Sequence, residues 1–174
     1  MILGKSGRIL SSRRGFTLIE IMVALAIISF IGIAVSTATF QILHQSVRNR
    51  DYTTASQFTM NAIHWISHDA EMSQTVQTGG ASGFPLSLSW IDWGSSVYRV
   101  VYSIEGGTLK RSYSVNGGGS VQTILAQSVN TISENTSCEY DSKVLTLQVT
   151  ATVGKGAYAT SVTNVRKIFM RSMP

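Results

Sequence analysis

Hydrophobic positions along this chain change their spacing twice, and each change predicts a different kind of element. From Ile21 to Val47 no residue carries a formal charge, and 21 to 35 are almost wholly Ile, Val, Ala, Leu, Met and Phe. About 20 such residues cross a hydrocarbon layer as a helix at about 1.5 Å per residue. The apolar positions then thin to a three-to-four spacing through Phe40, Leu43, Val47, Ala55, Phe58, Ala62, Ile66, Met72 and Val76. That is the mark of an amphipathic helix. No proline occurs before Pro85, and no glycine between Gly32 and Gly79. A single helix over 16–76, roughly 90 Å long, is therefore predicted.

Thr78-Gly79-Gly80-Ala81-Ser82-Gly83 breaks the helix, and the period then falls to two. Leu86, Leu88 and Trp90 alternate with serines. Residues 97–104 and 108–115 flank Gly106-Gly107 as a hairpin, 121–126 follow the turn Asn116-Gly117-Gly118-Gly119, and 143–153 place Leu145, Leu147, Val149, Ala151 and Val153 on one face. Gly154-Lys155-Gly156 leads into a last strand over 158–169. The prediction is an α+β fold in which one long N-terminal helix packs its second half against five to seven antiparallel strands. The segments are a leader over 1–15, a membrane or filament-core helix over 16–43, an amphipathic continuation over 44–78, and a β domain over 84–174.

Length and charge narrow the function. The 174 residues accommodate about one domain and an anchor. The net charge of +5 resembles a nucleic-acid footprint until it is located. Lys5, Arg8, Arg13 and Arg14 all precede Phe16, and the remainder holds ten basic against nine acidic residues. No dense cationic patch remains to bind phosphates, so no direct nucleic-acid partner is expected. Cations before an apolar helix mark its cytoplasmic side, which predicts an N-terminus inside and a C-terminal domain outside.

An ordinary secretory signal is cut after its apolar region. Here the one suitable junction, Gly15-Phe16, lies before it, so cleavage there keeps the apolar helix and creates an amine at Phe16. Glycine offers a protease open backbone access. Glu20 is a carboxylate among Leu18, Ile19, Ile21 and Met22, costly in lipid unless neutralised or paired. Two readings follow. Glu20 pairs with the amine of Phe16 on an adjacent subunit and sets helix stagger, or it lies near the headgroups and complements the helix dipole.

Other candidates are weaker. His64 and His68 sit one turn apart with Asp69 and Glu71 nearby, but Trp65 stands where a zinc-protease motif has Glu, and no third ligand is evident. No catalytic constellation, metal or cofactor is expected. The glycine clusters sit in turns rather than in phosphate-binding loops. Cys138, the sole cysteine, makes no disulfide within the chain and reads as a small residue in or near the core, the alternative being an intermolecular bridge or a reactive thiol. Trp90 and Trp93 are expected to pack in the core or cover the helix, the alternative being an exposed aromatic contact.

The octet Arg13-Arg14-Gly15-Phe16-Thr17-Leu18-Ile19-Glu20, with its apolar span, resembles the N-terminal segment of type IV pilin-like proteins: pilins, minor pilins and pseudopilins of type II secretion systems. The resemblance implies the pilin-like fold, cleavage after Gly15 by prepilin peptidase, N-methylation of Phe16 and a non-catalytic role in a filament. It also implies as partners the inner-membrane assembly platform, membrane lipid, and other minor and major subunits. Val97-Tyr98-Arg99-Val100-Val101-Tyr102, Gly107-Thr108-Leu109-Lys110-Arg111 and Ile124-Leu125-Ala126-Gln127-Ser128-Val129 resemble J-type minor pseudopilins and PilW-like minor pilins. Many major pilins have a helix-kinking proline and a C-terminal disulfide. Here Thr37 lies in the kink region and one cysteine is present, which argues against a major adhesive subunit. The alternatives are a minor pilin of a type IV pilus or DNA-uptake apparatus, and a membrane-tethered binding module that never polymerises.

Overall fold

The computed structural model describes residues 15–170; the leader charges Lys5, Arg8, Arg13 and Arg14 lie outside the described residues. The chain divides into two units, one up to Gln45 and one from Ser46. Helix α1, Leu18–Met72, contributes to both. Its second-unit portion buries Ala55, Thr59, Ala62, Ile63, Ile66, Ser67, Asp69 and Ala70 on one face. Most of these are small, which brings the helix axis close to its neighbours. Full burial of Ile66 contributes about 1.5–3 kcal/mol by transfer alone.

Among the described residues, eight strands form two antiparallel sheets. The first has five strands in sequential order: β1 Thr75–Thr78, β2 Leu86–Ile91, β3 Val97–Glu105, β4 Thr108–Val115 and β5 Val121–Ala126. The second has three: β6 Ser137–Asp141, β7 Val144–Val153 and β8 Thr160–Phe169. The inward residues follow the predicted alternation: Leu86 and Leu88, Val100 and Tyr102, Leu109, then Leu145, Leu147, Val149 and Ala151. Gly106 and Gly107, at φ +56° and +74°, make the two-residue turn between β3 and β4. Val129 joins the sheets: its N–H donates to the Gly107 carbonyl at 2.8 Å, and it bridges to Ala151 of β7.

Two boundaries differ from the sequence pattern. The helix ends at Met72 instead of continuing to 78, and 75–78 form β1, with Val76 opposite Leu88. Ser73 explains the stop, because its N–H and hydroxyl both donate to the Ala70 carbonyl, and the next N–H, of Gln74, goes to Ser89 of β2. The second difference is β6, which the pattern missed. It joins β7 through Ser142 and Lys143, both at positive φ (48° and 69°), a hairpin turn with none of the glycine or asparagine that usually announces one.

Trp90 meets its expectation as a partly buried residue against the core, stacked on Tyr98 with centroids 5.5 Å apart. Trp93 does not. Strand β2 ends at Ile91, so Trp93 falls in the following turn, beyond the reach of the alternation, and stands wholly exposed.

Candidate processing and assembly site

Thr17 opens α1: its carbonyl accepts from the Glu20 N–H at 3.1 Å and the Ile21 N–H at 3.3 Å. The Glu20 carboxylate reaches back three residues and accepts from both the Thr17 N–H and the Thr17 hydroxyl, each at 3.4 Å. A Thr-x-x-Glu pair at a helix start does this because the first N–H groups have no partner inside the helix. Negative charge in the first turn also complements the helix dipole. Within one chain, then, Glu20 has a local partner, but through long hydrogen bonds at a position open to solvent or lipid.

Gly15 and Phe16 precede the helix, and Phe16 is 80 % exposed. A Cβ built on Gly15 meets nothing within 4 Å. The fold therefore has no steric need for glycine there.

Downstream, every large apolar residue from Phe16 to Val47 is more than half exposed. The hydroxyls in this stretch turn inward to their own helix: Ser29 donates to the Leu25 carbonyl at 2.8 Å, Thr37 to Ile33 at 2.9 Å and Thr39 to Val35 at 2.9 Å. Satisfied this way, they enter an apolar medium at little cost. Among the described residues α1 is long and apolar enough to cross a membrane, and its apolar window is not buried in the chain itself.

The second unit separates the acid and histidine candidates near the helix end. His64 and His68 are exposed, and Glu71 lies 4.0 Å from Arg166. Asp69 is 1 % exposed and accepts from the Tyr102 hydroxyl and from Arg111. Among the described residues no three His, Cys, Asp or Glu side chains are grouped to hold a metal. Arg111 also lies over the rings of Trp65 and Tyr113, at 5.0 and 5.1 Å from their centroids.

Burial, together with the adjacent Asp69 charge and its hydrogen bond, pushes the Tyr102 phenol well above its ordinary range. Burial opposes the Arg111 charge, but the hydrogen bonds and attraction of Asp69 outweigh it, so its pKa is raised. This cluster escaped the sequence pattern. Its one signal was parity: Arg111 shares the inward face of β4 with Leu109 and Tyr113, and an inward guanidinium requires an acid. Cys138 is buried, and burial pushes its thiol up to about 12.

Residues 10–36 match the family model described as the prokaryotic N-terminal methylation motif. No curated protein and no solved structure matches the chain. The matched stretch takes in Gly15, Phe16, Glu20 and the first half of the exposed apolar helix. The chain thus carries the leader motif of type IV pilin-like proteins, joined to a helix long enough to anchor it in a membrane.

Proposed function

We propose that the protein is a minor pseudopilin, a non-catalytic subunit of a type II secretion pseudopilus. It is held in the inner membrane with its N-terminus cytoplasmic and its C-terminal domain periplasmic. Prepilin peptidase cuts between Gly15 and Phe16, the amine of Phe16 is methylated, and the assembly platform extracts the chain into a short filament beside other minor and major subunits. The reading rests on one coincidence: the methylation motif falls on a helix whose apolar side chains are left uncovered by the rest of the chain. Lipid covers that surface before assembly, and neighbouring helices cover it afterwards.

In the filament the Glu20 carboxylate leaves Thr17 for the new amine of Phe16 on the adjacent subunit. The long local hydrogen bonds are a weak competitor for such a charge pair. A subunit out of register leaves both charges in an apolar medium without partners, which selects one axial stagger. The strand residues that resemble J-type minor pseudopilins support a place at the filament tip; the same resemblance extends to PilW-like minor pilins of a pilus or DNA-uptake apparatus.

The test is N-terminal sequencing of the membrane-extracted protein together with filament incorporation of Glu20→Ala and Glu20→Val. A mature chain starting at N-methyl-Phe16, with both variants cleaved but excluded from filaments, is expected. An intact leader would instead mark a plain membrane tether, and normal incorporation of either variant would refute the pairing. Co-purification of the chain with secretion-system subunits, against pilus subunits, separates the two kinds of filament.

A further inference from the structure

The turn between β2 and β3 is built to hold one large apolar side chain in the open. Asp92 Oδ1 accepts the Trp93 N–H at 2.8 Å, the Asp92 N–H donates to the Ser96 carbonyl at 3.0 Å, and the Ser95 N–H donates to the Asp92 carbonyl at 2.9 Å. These bonds fix the backbone while the indole of Trp93 stands wholly exposed. Its neighbours Ile91 and Val97, paired across β2 and β3, are exposed as well. A preorganised tryptophan loses little conformational freedom on binding, and tryptophan is enriched among residues that dominate interfaces.

A receiving surface lies elsewhere on the same unit. Between α1 and the edge strand β8 is a groove of about 300 Å³, lined by Met60, Ile63, His64, Asn164, Val165 and Arg166. Ile63 is buried and forms its floor, while Met60 and Val165 are about 60 % exposed. Asn164 ties the strand to the helix by donating to the Thr59 hydroxyl at 2.7 Å. Arg166, half exposed, reaches Glu71 only at 4.0 Å, so its guanidinium keeps donors for another acid.

The two features are complementary in chemistry and in charge. An indole fills an apolar slot walled by a methionine and a valine, with an arginine beside it to lie on the ring. Asp92 is the single formal charge of the turn, and among the described residues its carboxylate accepts through Oδ1 only, while Arg166 stands on the groove rim. We infer that the 92–96 turn of one copy docks into the α1–β8 groove of a second copy, with Trp93 in the slot and Asp92 against Arg166. Knob and groove lie on different elements, so the contact is heterologous and leaves a free knob and a free groove at the ends of each pair.

The experiment uses the full chain in detergent micelles with Trp93→p-benzoylphenylalanine, which keeps an aromatic group while adding a photocrosslinker. Crosslinks between copies that map to 60–64 and 164–166 are expected. Trp93→Ala should weaken association at this contact by at least about thirty-fold, measured by energy transfer between chains labelled on the second unit. Because Trp93 is wholly exposed, that variant should fold normally, and an unchanged thermal melt removes misfolding as an explanation.

Asp92→Arg and Arg166→Asp should each reduce the crosslink yield, and combining them should restore it. Crosslinks mapping elsewhere, or only to a different protein, would overturn the inference, as would failure of the double charge reversal to recover the yield. None of these readouts depends on cleavage at Gly15, so they remain separable from the filament reading.

Discussion

Arg111 grips Asp69 with two nitrogens, Nε at 2.7 Å from Oδ2 and Nη2 at 3.1 Å from Oδ1, linking β4 to the last turn of α1. The Tyr102 hydroxyl donates to the same carboxylate. Asp69 is the shared acceptor, so removing it leaves the Tyr102 hydroxyl and the Arg111 guanidinium without it, whereas removing the Tyr102 hydroxyl leaves the Asp69–Arg111 pair in place. Asp69→Ala should destabilise the fold by about 3–5 kcal/mol, and Tyr102→Phe by about 1–2 kcal/mol. Arg111→Lys should also cost stability, since lysine has neither the two-pronged grip nor the planar face that covers Trp65 and Tyr113. Urea unfolding of the three variants checks this order.

Alkaline pH should weaken the fold through Cys138 and Tyr102. Both are neutral and buried, and both have folded pKa values above their ordinary values of 9.0 and 10.0. In the unfolded chain they lose protons first, so stability falls as pH rises. The Cys138 contribution is complete below about pH 9 and is lost as pH approaches about 12. Thermal melts from pH 8 to 11 should show this decline, and Cys138→Ala should flatten it. The same burial predicts that the thiol reacts with iodoacetamide only after unfolding.

Two glycines separate folding from processing. At Gly83, φ is +79° and an added Cβ would lie 1.8 Å from the Cys138 carbonyl oxygen, in the place where the Cys138 N–H also bonds Ser82. Gly83→Ala should force the backbone apart and cost about 3 kcal/mol or more. At Gly15 there is open space. Gly15→Leu should leave the melting temperature unchanged while the leader remains attached, as seen by a mobility shift on gels.

Glu20→Gln distinguishes the two roles of that side chain. Glutamine still accepts from the Thr17 N–H and hydroxyl but carries no charge. If filament entry requires a charge pair with the amine of Phe16, Glu20→Gln should be cleaved normally and excluded from filaments as completely as Glu20→Ala. Full incorporation would assign Glu20 to helix capping alone.

Much of the architecture was legible in the sequence because hydrophobic burial imposes a period on each element. The 3.6-residue spacing marked α1, and the two-residue alternation marked β2, β3, β4, β5, β7 and β8. Glycine clusters announced the turns between β3 and β4, between β4 and β5, and between β7 and β8. Where the turn chemistry was silent, at Ser142 and Lys143, β6 went unseen; where an apolar residue kept helical spacing by coincidence, at Val76, β1 was read as helix. The candidate segment from Gly15 to Glu20 was likewise legible, since its residue types are contiguous along the chain.

The order of residues is enough to show that basic residues precede a long helix free of formal charge from Ile21 to Val47, that one carboxylate, Glu20, falls at its apolar start, and that the period changes from helix to strand. These are local properties, carried by neighbouring residues. Tertiary structure alone decided that the strands divide into two sheets joined at Val129, that Asp69, Tyr102 and Arg111 share one buried site, and that Trp93 is exposed while Trp90 is covered. The buried site depends on contacts between residues 33 and 42 positions apart, and such contacts exist only once the sheet has closed on the helix.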